Sequence, residues 1–109
     1  MMNKDIYILG VGNNTAVYIE LLEDCGFSIQ GLYHYSNDRV GEDYHGYKIV
    51  GSYTDLFEKS SLEGLNFALS HGENKLRSEL FFKIKVNGGN IPSLVHPSAL
   101  VSRSAILGE

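Results

Sequence analysis

An α/β protein, a parallel sheet with helices on its faces, is predicted by three observations. Short apolar runs alternate with amphipathic helical stretches over residues 1–95. The first run ends in glycine and opens a Gly10-x-Gly12 loop. The unit from Ile6 to Tyr33 has the length of a right-handed βαβ crossover.

The elements follow in order. Asp5-Ile6-Tyr7-Ile8-Leu9-Gly10 is rich in strand formers and reads as a buried strand. After the loop Gly10 to Thr15, Val17, Leu21 and Cys25 recur at i, i+4 and i+8, and Ile19 and Leu22 broaden that stripe. Gly26 supplies a left-handed cap after about three turns of helix. Phe27 to Tyr33 is the second strand, and Ser36 to Gly46, with its acids and glycines, a surface loop. Tyr47 to Gly51 is a strand, Thr54 to Lys59 a short helix, and Leu65 to Leu69 a strand ending at Ser70-His71-Gly72. Leu76, Leu80 and Ile84 stripe a last helix from about Glu73 to Val86, acidic early and basic late as its dipole favours. Asn90 to Val95 is a final extended segment.

The last residues differ in character. Val101 and Leu107 stand six apart, as do Ala99 and Ala105, with small or polar residues between them. One aliphatic and one small residue per hexad is the pattern of a hexapeptide β-helix, whose flat faces coil into a triangle. Such coils need about three units to bury their faces, and barely two are visible. Either the tail is loose, or the chain is one piece of a longer protein; the second is preferred and gives two expected segments, 1–95 and 96–109, the latter the entry to the coil.

Composition narrows the classes. The chain has 109 residues, 43% hydrophobic and 20% charged, with a formal net charge of −4. That suits one small domain burying roughly two thirds of its unfolded surface. No apolar run approaches the roughly 20 residues of a membrane span, and the start lacks a signal-peptide layout. Its Lys and Arg are dispersed, so nucleic acid is not an expected partner. The single cysteine, Cys25, allows no internal disulfide and lies on the apolar helix stripe, where it reads as core. A cytoplasmic location is expected.

Three loops carry the candidate site. Gly10, Gly12, Asn13, Asn14 and Thr15 lie where dinucleotide-binding folds hold a pyrophosphate on a helix N-terminus. Thr15 stands where the full motif has a third glycine, and His34-Tyr35 where NAD binding wants an acid. Ordinary NAD or FAD binding is therefore disfavoured. A phosphate-bearing ligand fits the loop, and so does a bare tight turn in which Asn13 or Asn14 caps the helix. Ser70, His71 and Gly72 form a second strand-to-helix junction. In open α/β sheets such junctions converge outside the carboxyl ends of the strands. Together with His34 and Tyr35 they offer amide donors, two imidazoles and an aromatic face, a set suited to a nucleotide. Hydrogen-bonded surface histidines are the plainer alternative for His34 and His71. Neither has an obvious carboxylate partner, so no metal site and no catalytic residue is assigned.

Taken together, the chain resembles bacterial sugar O-/N-acyltransferases of the sialic acid O-acetyltransferase (NeuD) and PglD type. The resemblance is carried by Ile6-Tyr7-Ile8-Leu9-Gly10, Gly26-Phe27, Gly31, Gly46 to Gly51, Asp55-Leu56 and Gly72-x-Asn74-x-x-Arg77. Most specific are His96-Pro97-Ser98-Ala99 and Ala105 to Glu109. It implies a Rossmann-like domain holding a nucleotide-activated amino sugar, followed by a left-handed β-helix that binds acetyl-CoA between subunits of a homotrimer. By resemblance, Gly12 to Thr15, His34, Tyr35 and Ser70 to Gly72 touch the nucleotide. The family loop usually has glycine-histidine-glycine where this chain has Asn13-Asn14-Thr15, and acids where it has His34-Tyr35. The catalytic histidine is implied to lie beyond Glu109, and His96 to shape the junction. A nucleotide-dependent oxidoreductase or epimerase, and a non-catalytic domain supporting the coil, are the other classes.

Overall fold

The computed structural model describes residues 4–71 and 73–92. Its elements are β1 (Asp5–Leu9), α1 (Thr15–Asp24), β2 (Ser28–His34), β3 (Asp43–Tyr44), β4 (Tyr47–Ser52), α2 (Tyr53–Phe57), β5 (Asn66–Leu69) and α3 (Asn74–Val86). The sheet order is β3-β4-β2-β1-β5. Neighbours pair in parallel except β3 with β4, which are antiparallel. The sheet is therefore mixed, dominated by parallel pairs.

The alternation of side chains along each strand divides the core in two. Ile6 and Ile8 of β1 pack with Ile29, Leu32 and Ile49 against Ile19, Leu21 and Leu22 of α1. Leu9, Tyr33, Phe67 and Leu69 pack with Leu56 of α2 and with Leu80 and Ile84 of α3. The last-helix stripe is thus as predicted. Gly26 (φ 84) closes α1 with Gly26 N–H on Glu23 O and Phe27 N–H on Leu22 O, a Schellman end.

Three expectations need correction. Val17 is 65% exposed, and the buried residues of α1 are Thr15, Ile19, Leu21 and Leu22. Thr15 is anchored under the preceding loop, which rotates the helix so that positions 15, 19 and 22 face inward. Cys25 is only half-buried at the margin of the same core. Second, the span from Ser36 to Gly46 is more than a loop. It holds a 3₁₀ turn (Asn37–Arg39) and the strand β3, joined to β4 by a two-residue turn. That turn, His45-Gly46, has positive φ at both residues (52° and 91°), the geometry that matches strand twist in a tight hairpin. Third, the sheet is not wholly parallel, because this hairpin adds an antiparallel edge. Of the final extended segment, Asn90 forms a parallel bridge to Asn66. The expected coil entry at 96–109 lies outside the described residues.

The burial pattern sets a test. Leu22→Ala should cost about 2–5 kcal/mol, whereas Val17→Ala should stay within about 0.5 kcal/mol. Urea unfolding of both variants decides it. Equal losses would restore the predicted stripe.

Candidate functional site

Strands β1, β2 and β4 succeed one another on one side of the sheet, and β5 returns to the other side of β1. The chain order therefore reverses between β1 and β5, where open α/β sheets leave a crevice. A cleft of about 130 Å³ lies there, lined by Gly10 to Asn14, Ser70 and His71. That volume accommodates a phosphate-sized group, since drug-sized ligands need about 300 Å³ or more.

The loop is built on Thr15. Its hydroxyl is fully buried, donates to Gly10 O at 2.9 Å and accepts from Gly12 N–H at 2.9 Å. Ser70 Oγ stands 3.4 Å from it and donates toward Gly10 O at 3.1 Å. Gly10 adopts φ +120°, and a Cβ there would come within 2.4 Å of Ser70 Oγ. Glycine is thus required twice, for its dihedral and for the close approach of β1 to β5. Thr15 sits beneath the loop rather than on the cleft wall, and Gly12 N–H is already committed to it. Asn14 is the N-cap residue of α1 but makes no side-chain cap bond, so the asparagine-cap alternative does not hold as drawn.

The helix N-termini that follow β1 and β5 at this end of the sheet differ. Glu73 caps α3, its carboxylate accepting from Leu76 N–H at 2.8 Å. The first turn of α1 holds no acid and its cap no side-chain bond. The positive end of the α1 dipole is left for another group, and that of α3 is spoken for.

His71 lies half-buried on the β5 side. The Tyr53 hydroxyl, at the start of α2, hydrogen-bonds its Nε2, and the two rings meet edge-on at 5.8 Å. Burial pushes the imidazole below its ordinary pKa; the Arg77 and His34 charges act the same way, while Glu73 opposes them. Burial also pushes the Tyr53 phenol well up. Arg77 Nη1 donates to Tyr18 Oη at 3.0 Å and reaches toward His71 O at 3.5 Å.

His34 ends β2 and is 6% exposed. Its Nε2 lies 3.7 Å from the Asp38 carboxylate, and its Nδ1 has no partner among the described residues. The Ser36 hydroxyl, above all, holds Asp38 below the ordinary carboxylate range. So His34 has a carboxylate neighbour after all, at i+4, a spacing readable in the sequence. Tyr35 is 68% exposed beside it, ring centroids 4.4 Å apart. Tyr35, Ser36, Asn37, Ser52, Thr54 and Asp55 line a second hollow of about 340 Å³, large enough for a nucleoside.

The predicted residues thus occupy two places at the carboxyl edge: Gly10 to Asn14, Ser70 and His71 around one cleft, and Tyr35 on the other hollow. Gly72 lies outside the described residues. Four residues were missed: Asp38, Tyr53, Arg77 and Tyr44, whose hydroxyl donates to Gly12 O at 3.0 Å. Arg77 stands in the Gly72-x-Asn74-x-x-Arg77 motif but is given no site role there, and Tyr53 and Tyr44 reach the site across the fold with no local pattern to announce them. Among the described residues no three His, Cys, Asp or Glu gather to hold a metal ion. No helix among them is long and apolar enough to cross a membrane.

Gly10→Ala should destabilise the chain by about 1–3 kcal/mol through backbone strain, read by urea unfolding; an unchanged midpoint would remove the close-approach argument. His71 supplies a pH test. Its folded pKa is depressed, so the unfolded chain takes up the proton first as pH falls through the ordinary 6.5. Stability is full above that value and is lost below it, until the folded value is reached. Melting curves between about pH 7.5 and about pH 5 should show the loss, and His71→Gln should remove this share of it. A slope identical in both proteins would sink the assignment.

No family model matches the chain. Solved structures do. PerB from Caulobacter crescentus, solved with CoA and GDP-perosamine, is 27% identical over 85% of this chain and 42% of its own, with a TM-score of 0.69. A mutant of perosamine N-acetyltransferase from the same organism, with the same ligands, is 26% identical over 85% and 43%, TM-score 0.70. The acetyltransferase domain of PglB from Neisseria gonorrhoeae is 26% identical over 87% and 45%, TM-score 0.70. The chain therefore spans less than half the length of these proteins. Its structural neighbours are sugar acyltransferases of the NeuD and PglD type, the resemblance read from its residues.

Proposed function

We propose that this chain is the acceptor-holding, Rossmann-like part of a hexapeptide-repeat sugar acetyltransferase. The whole protein transfers an acetyl group from acetyl-CoA to an amine or hydroxyl of a nucleotide-linked amino sugar, for cell-surface glycan synthesis. The observation that carries this reading is the cleft at the β1–β5 reversal, in a fold similar to that of PerB, a protein solved with CoA and GDP-perosamine. The glycine-loop cleft takes a phosphate at the uncapped end of α1, and the wider hollow beside Tyr35 takes the nucleoside.

The reaction is direct. A base removes a proton from the acceptor nitrogen or oxygen as it attacks the thioester carbonyl; the C–S bond breaks and coenzyme A departs, finally as the thiol. In this reading the base and acetyl-CoA belong to a left-handed β-helix entered at residues 96–109, assembled as a cytoplasmic homotrimer. The contribution of the described residues is to hold and orient the acceptor. By itself the 109-residue chain has no transferase activity. β2 ends in His34, followed by Tyr35, where NAD-binding folds place the acid that holds the ribose diol, which weighs against an oxidoreductase.

Saturation-transfer NMR with GDP-, UDP- and CMP-linked sugars and with NAD tests the reading. One of the sugar nucleotides should bind, with a Kd on the order of 0.1–1 mM, about −4 to −5.5 kcal/mol. Gly12→Trp should abolish that binding without unfolding the chain, because a Cβ at Gly12 meets nothing within 4 Å and its φ is not left-handed. Binding of NAD alone would point to a dehydrogenase-type domain, and binding of none to a purely structural one.

A further inference from the structure

We propose that Tyr44 is the positioning residue of the glycine loop: its hydroxyl holds the Gly12 carbonyl so that the next amide, Asn13 N–H, faces the cleft and takes a phosphate oxygen of the nucleotide. This rests on the nucleotide-sugar reading above.

The geometry runs through one peptide plane. Gly12 O accepts from Tyr44 Oη at 3.0 Å and from Thr15 N–H at 3.1 Å. Gly12 N–H is held by Thr15 Oγ1 at 2.9 Å. In a trans peptide the carbonyl and the following N–H lie in one plane and point in opposite directions. The bonds that fix Gly12 O therefore fix Asn13 N–H as well. Topology supplies the direction. Tyr44 belongs to β3, at one margin of the sheet, whereas Ser70 and His71 follow β5 at the other. An amide turned away from Tyr44 is turned toward Ser70 and His71, which is where the cleft lies.

Glycine makes such a hold necessary. A Cβ at Gly12 would touch nothing within 4 Å, so hydrogen bonds rather than side-chain packing at this position hold the loop. A carbonyl swung into the cleft would present its negative end to an anion. Tyr44 itself is well anchored: the tight His45-Gly46 turn fixes its backbone, the His45 ring meets it edge-on at 4.4 Å, and the Arg39 guanidinium lies 5.7 Å from its ring. Glu42 holds Arg39 in turn, at 3.0 Å. The hairpin is thus a short arm from the sheet edge onto the loop after β1.

The test uses the 109-residue chain, ¹⁵N-labelled, titrated with GDP-perosamine, UDP-N-acetylglucosamine and CMP-N-acetylneuraminic acid. Tyr44→Phe removes only the hydroxyl, and the tightest of the three ligands should bind it about five- to tenfold more weakly, as loss of one hydrogen bond predicts. The Asn13 amide resonance, shifted by ligand in the wild type, should lose most of that shift, while those of Ser70 and His71 keep theirs. Tyr47→Phe takes a hydroxyl of the same hairpin off Glu23 and should bind within about twofold of wild type. Wild-type binding with Tyr44→Phe within twofold, equal weakening in both variants, or an Asn13 amide unmoved by ligand each overturns the positioning role and leaves the proposed function standing. A wild-type chain that binds none of the three overturns the proposed function and this inference with it.

Discussion

Everything at the carboxyl edge of the sheet depends on one buried hydroxyl. Thr15 Oγ1 ties the end of β1, through Gly10 O, to the loop, through Gly12 N–H, and approaches Ser70 at the end of β5. A buried hydroxyl left unpaired costs roughly 1–3 kcal/mol, so both its donor and its acceptor roles have to be met. They are met by two backbone groups of the preceding loop, Gly10 O and Gly12 N–H. The helix consequently begins at one place and in one rotation, with Ile19 and Leu22 turned to the core and Val17 to solvent. Where a dinucleotide-binding loop uses a third glycine for close packing of helix on strand, this chain uses hydrogen bonds from a threonine.

That choice shapes what the site offers. Gly12 N–H is taken by Thr15, so anion binding falls to the amides that follow it, at a helix end with neither acid nor side-chain cap. Around them stand groups that are neutral near pH 7: a histidine depressed by burial and a tyrosine raised by it, hydrogen-bonded to each other. Arg77 leans over from α3, held by Tyr18 and the His71 carbonyl. Such an array suits recognition of a negatively charged, hydroxyl-rich molecule.

The β3–β4 hairpin is the part of the architecture that a plain βαβ reading leaves out. Its strand β3 is two residues long, and its turn is His45-Gly46 rather than the familiar Asn-Gly, so alternation and turn chemistry both fall below notice. Yet Tyr44 and Tyr47 reach from it to Gly12 and to Glu23 of α1. The edge strand thereby reaches the glycine loop through Tyr44, and β4 reaches α1 through Tyr47.

Composition and period alone were enough for the alternation of strands and helices, for the α3 stripe and for the glycine-terminated first strand, because those follow from local preference and from which residues avoid water. The same logic misplaced the inward face of α1. An evenly spaced Val17-Leu21-Cys25 stripe competes there with a stripe led by a polar residue, and hydropathy cannot see that Thr15 will find partners. The reversal of strand order, the pairing of His71 with Tyr53 and the grip of Tyr44 on Gly12 join residues 18 to 32 positions apart or more. Contacts of that separation are decided by how the sheet is assembled, since only the packed chain brings their hydrogen-bonding groups within 3 Å or so of each other.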